Sequence, residues 1–176
     1  SIIKHFYCKK CLNYCSADTR VYECFSCNAN DKSISCFFEI DICKQIKYLF
    51  EKRNLAEKLK PLLLRPDNGQ INDITDDSEY IRVNSREDKQ KYDLTLVLNT
   101  DGLSLVKSAK SHCWPLMFII AKLPEHLRES FLFTIGLWYD NSCKLPMNTF
   151  LKPFCVKLER CFQEGISWIH PRTKET

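Results

Sequence analysis

Two pairs of cysteines have the spacing that most clearly indicates a chemical role. Each pair has two residues between its members, and twelve residues separate the pairs. Four thiolates at this spacing can bind one tetrahedral zinc ion, because each pair forms a tight turn that points both sulfurs at the metal. The predicted ligands are Cys8, Cys11, Cys24 and Cys27. Such a site is structural, since no coordination position stays open. Cys15 and His5 are alternative ligands that can replace one of the four.

A second candidate is Asp101, in the stretch LTLVLNTDGLSLV. It follows an apolar run at residues 94–98 and precedes Gly102. Asp-Gly after a strand is a common turn signal. An aspartate at a strand end can also bind a divalent cation that acts on a phosphodiester. The residues alone leave both readings open.

The elements around these residues follow from periodicity. Segments 20–27 and 33–42 have the β-branched and aromatic content of the strands of a zinc ribbon. Apolar runs at 94–98, 116–121 and 131–138 predict an antiparallel meander. Apolar residues between Phe150 and Phe162 then recur at helical spacing, and Gly165 is a natural stop. Pro153 is expected either to bend this helix or to set its start one turn later.

The middle of the chain is basic and then acidic. Apolar residues from Ile42 to Phe50 predict an amphipathic helix, and Asn54 with Glu57 resembles a capping box that opens a second helix ending near Leu64. Basic side chains on these helices either contact DNA phosphates or form a solvated face. The candidates are Lys47, Lys52, Arg53, Lys58 and Lys60.

Residues 65–91 read as a connection with one short strand around Tyr80 to Val83. Its aspartates at 73, 76 and 77 either bind a hard cation or form a solvated acidic loop, which their irregular spacing favours.

Composition limits the function classes. A net charge of +4 permits a polyanionic partner. The sequence contains no apolar stretch of about 20 residues, so no membrane span is predicted. Eleven cysteines without a secretory signal favour metal binding in a reducing intracellular compartment. The N-terminus lacks an initiator Met and the chain ends soon after the predicted helix, so we expect a piece of a longer protein.

Several motifs in order resemble one family. The stretch LTLVLNTDGLSLVKSAKSHCWPLMFIIAKLPEHLR, continued by GLWYDNSCKLPMNTFLKPFCVKLERCFQEGI, resembles the CACTA (En/Spm-type) DDE transposases. The shared features are the N-T-D-G element, a Trp-Pro, a Leu-Pro and an N-x-x-L-x-P helix. The segments FFEIDICKQIKYLFEK and INDITDDSEY also resemble those that precede the catalytic domain there. The cysteine pairs stand where some members carry a zinc-binding module.

The resemblance implies an RNase H-like catalytic domain in which Asp101 is the first acidic ligand of Mg2+ or Mn2+. It implies transposon-end DNA as the partner and a nuclear location, with neither a membrane nor a small-molecule substrate. A DDE site needs at least two further carboxylates. We therefore expect no turnover from this chain alone.

The expected fold is mixed α and β, with three parts. They are a zinc ribbon at residues 1–42, a basic helical linker with an acidic loop at 43–91, and the first half of an RNase H-like domain at 92–176. The first functional hypothesis is part of a transposase or of a derived protein that binds DNA. The alternative is a non-catalytic zinc-ribbon module that binds DNA or protein, with the strand-helix block as scaffold. The open edge of the strand at 94–98 is expected to favour self-association.

Overall fold

The computed structural model describes residues 1–59, 73–87, 89–104, 112–140 and 145–173. The strands are β1 Ile2–Cys8, β2 Tyr14–Ala17, β3 Ile34–Ile40, β4 Leu96–Thr100, β5 Leu103–Ser104, β6 His112–Ile120 and β7 Phe133–Asp140. The helices are α1 Ile42–Arg53, α2 Leu55–Lys58, α3 Ser78–Asn84, α4 Glu125–Arg128 and α5 Met147–Glu164. Within these ranges, no helix combines the length and the apolar character needed to cross a membrane.

The strands form one sheet in the order β2-β1-β3-β7-β6-β4, with β5 also paired to β6. The pairs β1 with β2, β1 with β3, β3 with β7, and β5 with β6 are antiparallel. The predicted mixed α and β character is confirmed. The predicted meander is present as β4, β6 and β7, followed in the chain by the long helix α5.

The chain divides into two compact units by its internal contacts. Unit 1 consists of residues 1–47, 100–117 and 134–167, and unit 2 of residues 48–99, 118–133 and 168–176. The cysteine pairs therefore belong to the same unit as most of β7 and all of α5. These boundaries follow contacts and not chain order, and the three-part division by sequence stays a prediction.

The core of unit 1 is built around Phe37 of β3, which is fully buried. Its ring centroid lies 5.1 Å from that of Trp138, its partner in the register of β3 and β7, and 5.4 Å from that of Phe150 on α5. Gly136 lets the helix approach the sheet closely, because a Cβ atom there would lie 2.5 Å from the Phe154 ring. The apolar face of α5 thus covers the strands that lead to the cysteine pairs.

The core of unit 2 contains a cluster of three aromatic rings. The Phe50 centroid lies 4.4 Å from that of Trp168 and 6.1 Å from that of Tyr92. A buried ion pair joins Arg128 to Asp73, with an Nη2 to Oδ2 distance of 2.8 Å. Together these contacts fix the segments before and after the sheet strands of this unit.

Three local predictions are wrong, each for a local reason. The strand expected around Tyr80 to Val83 is helix α3, because the Asp77 side chain accepts hydrogen bonds from the backbone N–H groups of Glu79 and Tyr80 and caps a helix. Asn54 is left-handed at φ 51° and makes no side-chain cap, so the expected capping box does not form. The helix that follows, α2, also ends earlier than the expected end near Leu64: its last residue is Lys58, because Leu59 is extended.

The third is segment 20–27, which is not a strand because it forms one of the cysteine turns. Among the described residues, its one β-pairing is an isolated bridge of Glu23 with Asn30. The predicted long helix is present as α5. It starts at Met147 and runs through Pro153 to Glu164, and Gly165 ends it at φ 73°. The strand predicted at 116–121 begins earlier, at His112, because His112 and Cys113 pair with β5.

Candidate metal centre

The four predicted cysteine ligands lie together at one end of unit 1. Their Sγ atoms all lie within 4.8 Å of one another, with 3.7 Å between Cys8 and Cys27 and 3.5 Å between Cys11 and Cys24. All four are free thiols, so no disulfide joins them. Within the described chain this is the only group of three or more His, Cys, Asp or Glu side chains close enough to hold a metal ion.

Both pairs use the same backbone geometry. In the first turn the N–H of Leu12 donates to Cys8 O at 2.8 Å, and in the second the N–H of Asn28 donates to Cys24 O at 2.7 Å. Leu12 and Asn28 are both left-handed, at φ 61° and 54°. This matched strain closes each turn immediately after its second cysteine and points both sulfurs the same way.

A second pair of matched bonds anchors the first cysteine of each turn. The N–H of Cys8 donates to Asn13 O at 3.0 Å, and the N–H of Cys24 donates to Ala29 O at 2.8 Å. Cys8 and Cys24 are also the two most buried members of the cluster, at 0% and 1% exposure. The two turns therefore present equivalent ligand pairs from a fixed backbone.

The electrostatics of the cluster favour one thiolate before metal binds. Burial raises the pKa of Cys24, but backbone N–H groups at Ser26 and Cys27 and the Cys11 thiol lower it to about 6. The Ala29 N–H lowers the pKa of Cys27, whereas burial and the neighbouring thiols of Cys11, Cys8 and Cys24 raise it, to about 12 overall. Full ionisation of four adjacent sulfurs thus requires a cation to offset their repulsion.

The two alternative ligands lie outside this group. Cys15 packs against the cluster, and its thiol donates to Asn13 O at 3.6 Å. Burial and the nearby Cys24 raise its pKa to about 11. His5 is committed elsewhere, since its Nε2 lies 2.9 Å from Glu39 Oε2 and its Nδ1 lies 2.9 Å from the Tyr14 hydroxyl.

Asp101 lies at the position predicted from the sequence, immediately after β4, and is exposed. Its Oδ1 accepts a hydrogen bond from the N–H of Gly102 at 2.8 Å, as an aspartate in a tight turn does. Gly102 is required there because a Cβ atom would lie 2.7 Å from the Trp114 ring. Asp101 belongs to no cluster of metal-binding side chains among the described residues.

The basic candidates of the middle segment differ in their surroundings. Lys47 and Lys52 are exposed on α1. The Arg53 guanidinium lies over the Phe131 ring at 5.3 Å, and Lys58 Nζ donates to Arg53 O at 2.9 Å. Lys60 lies outside the described residues.

The three aspartates of the acidic segment each have a structural partner. Asp73 pairs with Arg128, Asp76 Oδ2 accepts from the N–H of Asp73 at 3.1 Å, and Asp77 caps α3. These contacts account for the carboxylates without a cation.

The structure also reveals exposed residues that the sequence reasoning did not single out. The two positions between the cysteines of each turn are all exposed, and they carry Lys9, Lys10, Phe25 and Ser26. Phe25 is 87% exposed and nearby Tyr22 is 69% exposed. The Arg20 guanidinium lies 5.5 Å from the Tyr22 ring centroid. An aromatic residue between the two cysteines of a turn was the available signal, because that position points away from the metal.

Comparisons with models of known protein families, with curated proteins and with solved structures found no match.

Proposed function

We propose that the chain belongs to a transposase, or to a protein derived from one, of the CACTA type, and that its cysteine module binds zinc and contacts DNA. The observation that carries this proposal is the set of four sulfurs within 4.8 Å of one another, held by two matching turns. The order of motifs described above supplies the resemblance, which extends over nearly the whole chain.

Zinc is the metal that fits best. Zn–S bonds of about 2.3 Å in a tetrahedron place the sulfurs roughly 3.8 Å apart. The Sγ separations of 3.7 Å and 3.5 Å are close to that value without any rearrangement of the backbone. All four donors are thiolates, which suit zinc and leave no position for water. The metal therefore stabilises the fold and takes no part in catalysis.

The DNA-contacting surface that we propose is the outer surface of the module, formed by Lys9, Lys10, Arg20, Tyr22 and Phe25. Their positive charges attract phosphates, and the two aromatic rings can stack on unpaired bases. Phe25 is 87% exposed, so packing in the core does not explain an aromatic side chain at this position. Lys47 and Lys52, which are exposed on α1, are further candidate phosphate contacts.

The strand-helix block suits the first half of an RNase H-like domain. The meander of β4, β6 and β7 precedes α5, and β4 stands at the end of the described strand order, where such a domain adds its next strand. In that interpretation Asp101 is the first Mg2+ or Mn2+ ligand. A two-metal site needs further carboxylates. We therefore propose that this chain alone does not cleave DNA. From the resemblance to the transposases, we also propose that its location in the cell is nuclear.

The second candidate function is a non-catalytic zinc module that binds DNA or protein, with the strand-helix block as scaffold. The hydrogen bond from the Gly102 N–H to Asp101 Oδ1 favours it, because a turn role alone accounts for the aspartate.

DNA binding is tested by fluorescence anisotropy with single-stranded and duplex oligonucleotides. Phe25→Ala is expected to weaken single-strand binding about tenfold through loss of a stacked base. Phe162→Ala is the matched control, since Phe162 is 75% exposed but lies on α5. Equal affinities for wild type and Phe25→Ala would remove the module surface from the proposal.

Plasmid nicking in Mg2+ or Mn2+ tests the proposed inactivity of this chain. We expect neither wild type nor Asp101→Ala to nick DNA. Nicking by wild type that disappears in Asp101→Ala would mean that the remaining carboxylates come from this chain or from a second copy. That result would contradict the proposed inactivity and would favour catalysis over a scaffold role.

A further inference from the structure

Unit 2 contains a cavity of about 530 Å3 that the zinc module does not account for. Its size is within the range of sites that hold a nucleotide-sized molecule. Among the described residues, ten line the cavity, of which four are basic and none is acidic. The basic residues are Arg86, Lys89, Lys91 and Lys122.

Lys122 is the unusual member of this set, because it is only 9% exposed. Its Nζ donates to Lys91 O at 3.0 Å. An ammonium group has three donors, so this neutral acceptor satisfies one of them. A buried ammonium normally has a counter-charge or further acceptors, since burial of a charge is otherwise unfavourable.

Among the described residues, the charges near Lys122 do not provide a full counter-charge. Burial lowers the pKa of Lys122, and the positive charge of Lys89 lowers it further, while Asp93 acts in the opposite direction. Asp93 is not among the residues that line the cavity, and its Oδ2 accepts a hydrogen bond from the Gln90 N–H at 2.9 Å. The described residues that line the cavity therefore carry a net positive charge.

The wall beside these cations is held rigidly. Asn84 is 3% exposed, its Nδ2 donates to Tyr80 O at 2.8 Å, and its Oδ1 accepts from Thr95 Oγ1 at 3.0 Å. The Tyr92 ring is fixed in the aromatic cluster with Phe50. The site is thus a formed pocket, and not a set of lysines on an open surface.

We propose that this cavity binds a phosphate monoester, with Lys122 and Lys89 contacting the phosphate oxygens. A terminal phosphate carries close to two negative charges and several acceptor oxygens, which match a buried ammonium that has one hydrogen-bond acceptor among the described residues, together with its cationic neighbours. The ligand is either a free mononucleotide or the phosphorylated end of a DNA strand. This inference goes beyond the proposed function and does not depend on the zinc site.

Isothermal titration calorimetry with four probes tests the proposal. The probes are AMP, adenosine, a short single-stranded oligonucleotide with a 5′-phosphate, and the same oligonucleotide with a 5′-hydroxyl. We expect at least one phosphorylated probe to bind tenfold or more tightly than its hydroxyl counterpart. A preference in the AMP arm alone identifies a free nucleotide as the ligand, and a preference in the oligonucleotide arm alone identifies a strand end.

Variants assign the preference to the cavity. Lys89→Gln, at a partly exposed position, is expected to reduce the ratio of phosphorylated to hydroxyl affinity at least threefold, and Lys122→Met is expected to abolish the preference. Lys44→Gln removes the same charge from an exposed position on α1 and should leave the ratio unchanged. Equal binding of the paired probes by wild type, or an equal loss of preference in Lys44→Gln and Lys89→Gln, would overturn the proposal.

Discussion

At the scale of single residues, a polar network in unit 1 joins His5, Glu39 and Lys157. Glu39 is 4% exposed, and its two carboxylate oxygens lie 2.9 Å from His5 Nε2 and 2.6 Å from Lys157 Nζ. Burial raises the pKa of Glu39, but the bonds to His5 and Lys157 outweigh it and lower the pKa below 4.5. The carboxylate is therefore held ionised in the core by two partners.

Removal of one partner should reduce stability and change its dependence on pH. We expect Lys157→Gln to lower the free energy of unfolding by about 2 kcal/mol, because Glu39 keeps its buried charge with one cationic partner fewer. Lys152→Gln, on the exposed side of the same helix, is the matched control. Urea unfolding at neutral pH measures both.

The sign of the pH effect follows from the lowered pKa of Glu39. Stability from the ionised carboxylate is present above the ordinary pKa of 4.5 and is lost as the pH falls through the lowered value. In Lys157→Gln the folded-state pKa of Glu39 rises toward its ordinary value, so the loss of stability on acidification should be smaller than in wild type. Identical acid unfolding curves for the two proteins would show that Lys157 does not hold this charge.

Residue types and spacing were enough to predict which four cysteines lie together, because each pair is local and its turn depends on few neighbours. They were not enough to predict the role of His5, which the sequence left as a possible zinc ligand. Its partner Glu39 is 34 residues away, and the third member Lys157 lies 118 residues from Glu39. Only the pairing of β1 with β3 and the packing of α5 bring them together.

At the scale of elements, the strand β4 stands at the end of the described strand order and exposes apolar side chains. Val97 is 41% exposed and Leu98 is 46% exposed. An edge with unpaired backbone groups and apolar side chains is a template for pairing with another chain. The apolar run at 94–98 predicted a strand here, which the structure places at Leu96–Thr100.

We expect wild type to self-associate as its concentration rises and Val97→Lys to associate less, because a charge on an edge strand disfavours pairing. Sedimentation velocity over a concentration series measures this. Val156→Lys places the same charge on an exposed position of α5 and should behave like wild type. Wild type that stays monomeric throughout would show that β4 is not an open edge.

Helices α1 and α5 each contribute one cysteine to a close pair of thiols. Cys43 of α1 and Cys161 of α5 have Sγ atoms 2.9 Å apart. Burial and the neighbouring Cys43 raise the pKa of Cys161 to about 12. The Cys161 thiol therefore stays protonated at neutral pH and reacts more readily as the pH rises.

We expect oxidised glutathione to convert this pair to a disulfide, with two glutathione molecules released as thiols for each bond formed. Peptide mapping after alkylation should detect a cross-link of Cys43 to Cys161 that forms faster at alkaline than at neutral pH. Cys43→Ser should abolish it. A mixed glutathione adduct on Cys161 in wild type, without the cross-link, would show that the two sulfurs do not meet.

At the scale of the whole molecule, the meander and the terminal helix were predictable because periodicity is local. The division into two units was not, since each unit combines three separate segments of the chain. Helix α3 was missed for a different, local reason. The helix cap made by the Asp77 side chain outweighed the β-branched content of the residues that follow. The account of the molecule as a DNA-binding protein depends on its cysteine module being stabilised by zinc.

The most direct test of this claim is the zinc content of the purified chain, measured by elemental analysis beside Cys24→Ser and Cys36→Ser. The account predicts about one zinc per chain in wild type and in Cys36→Ser, whose cysteine lies outside the cluster. Cys24→Ser should lose most of the metal and melt roughly 6–12 °C lower, as a loss of about 3 kcal/mol implies. Wild type without zinc, or a zinc content unchanged by Cys24→Ser, would contradict the account.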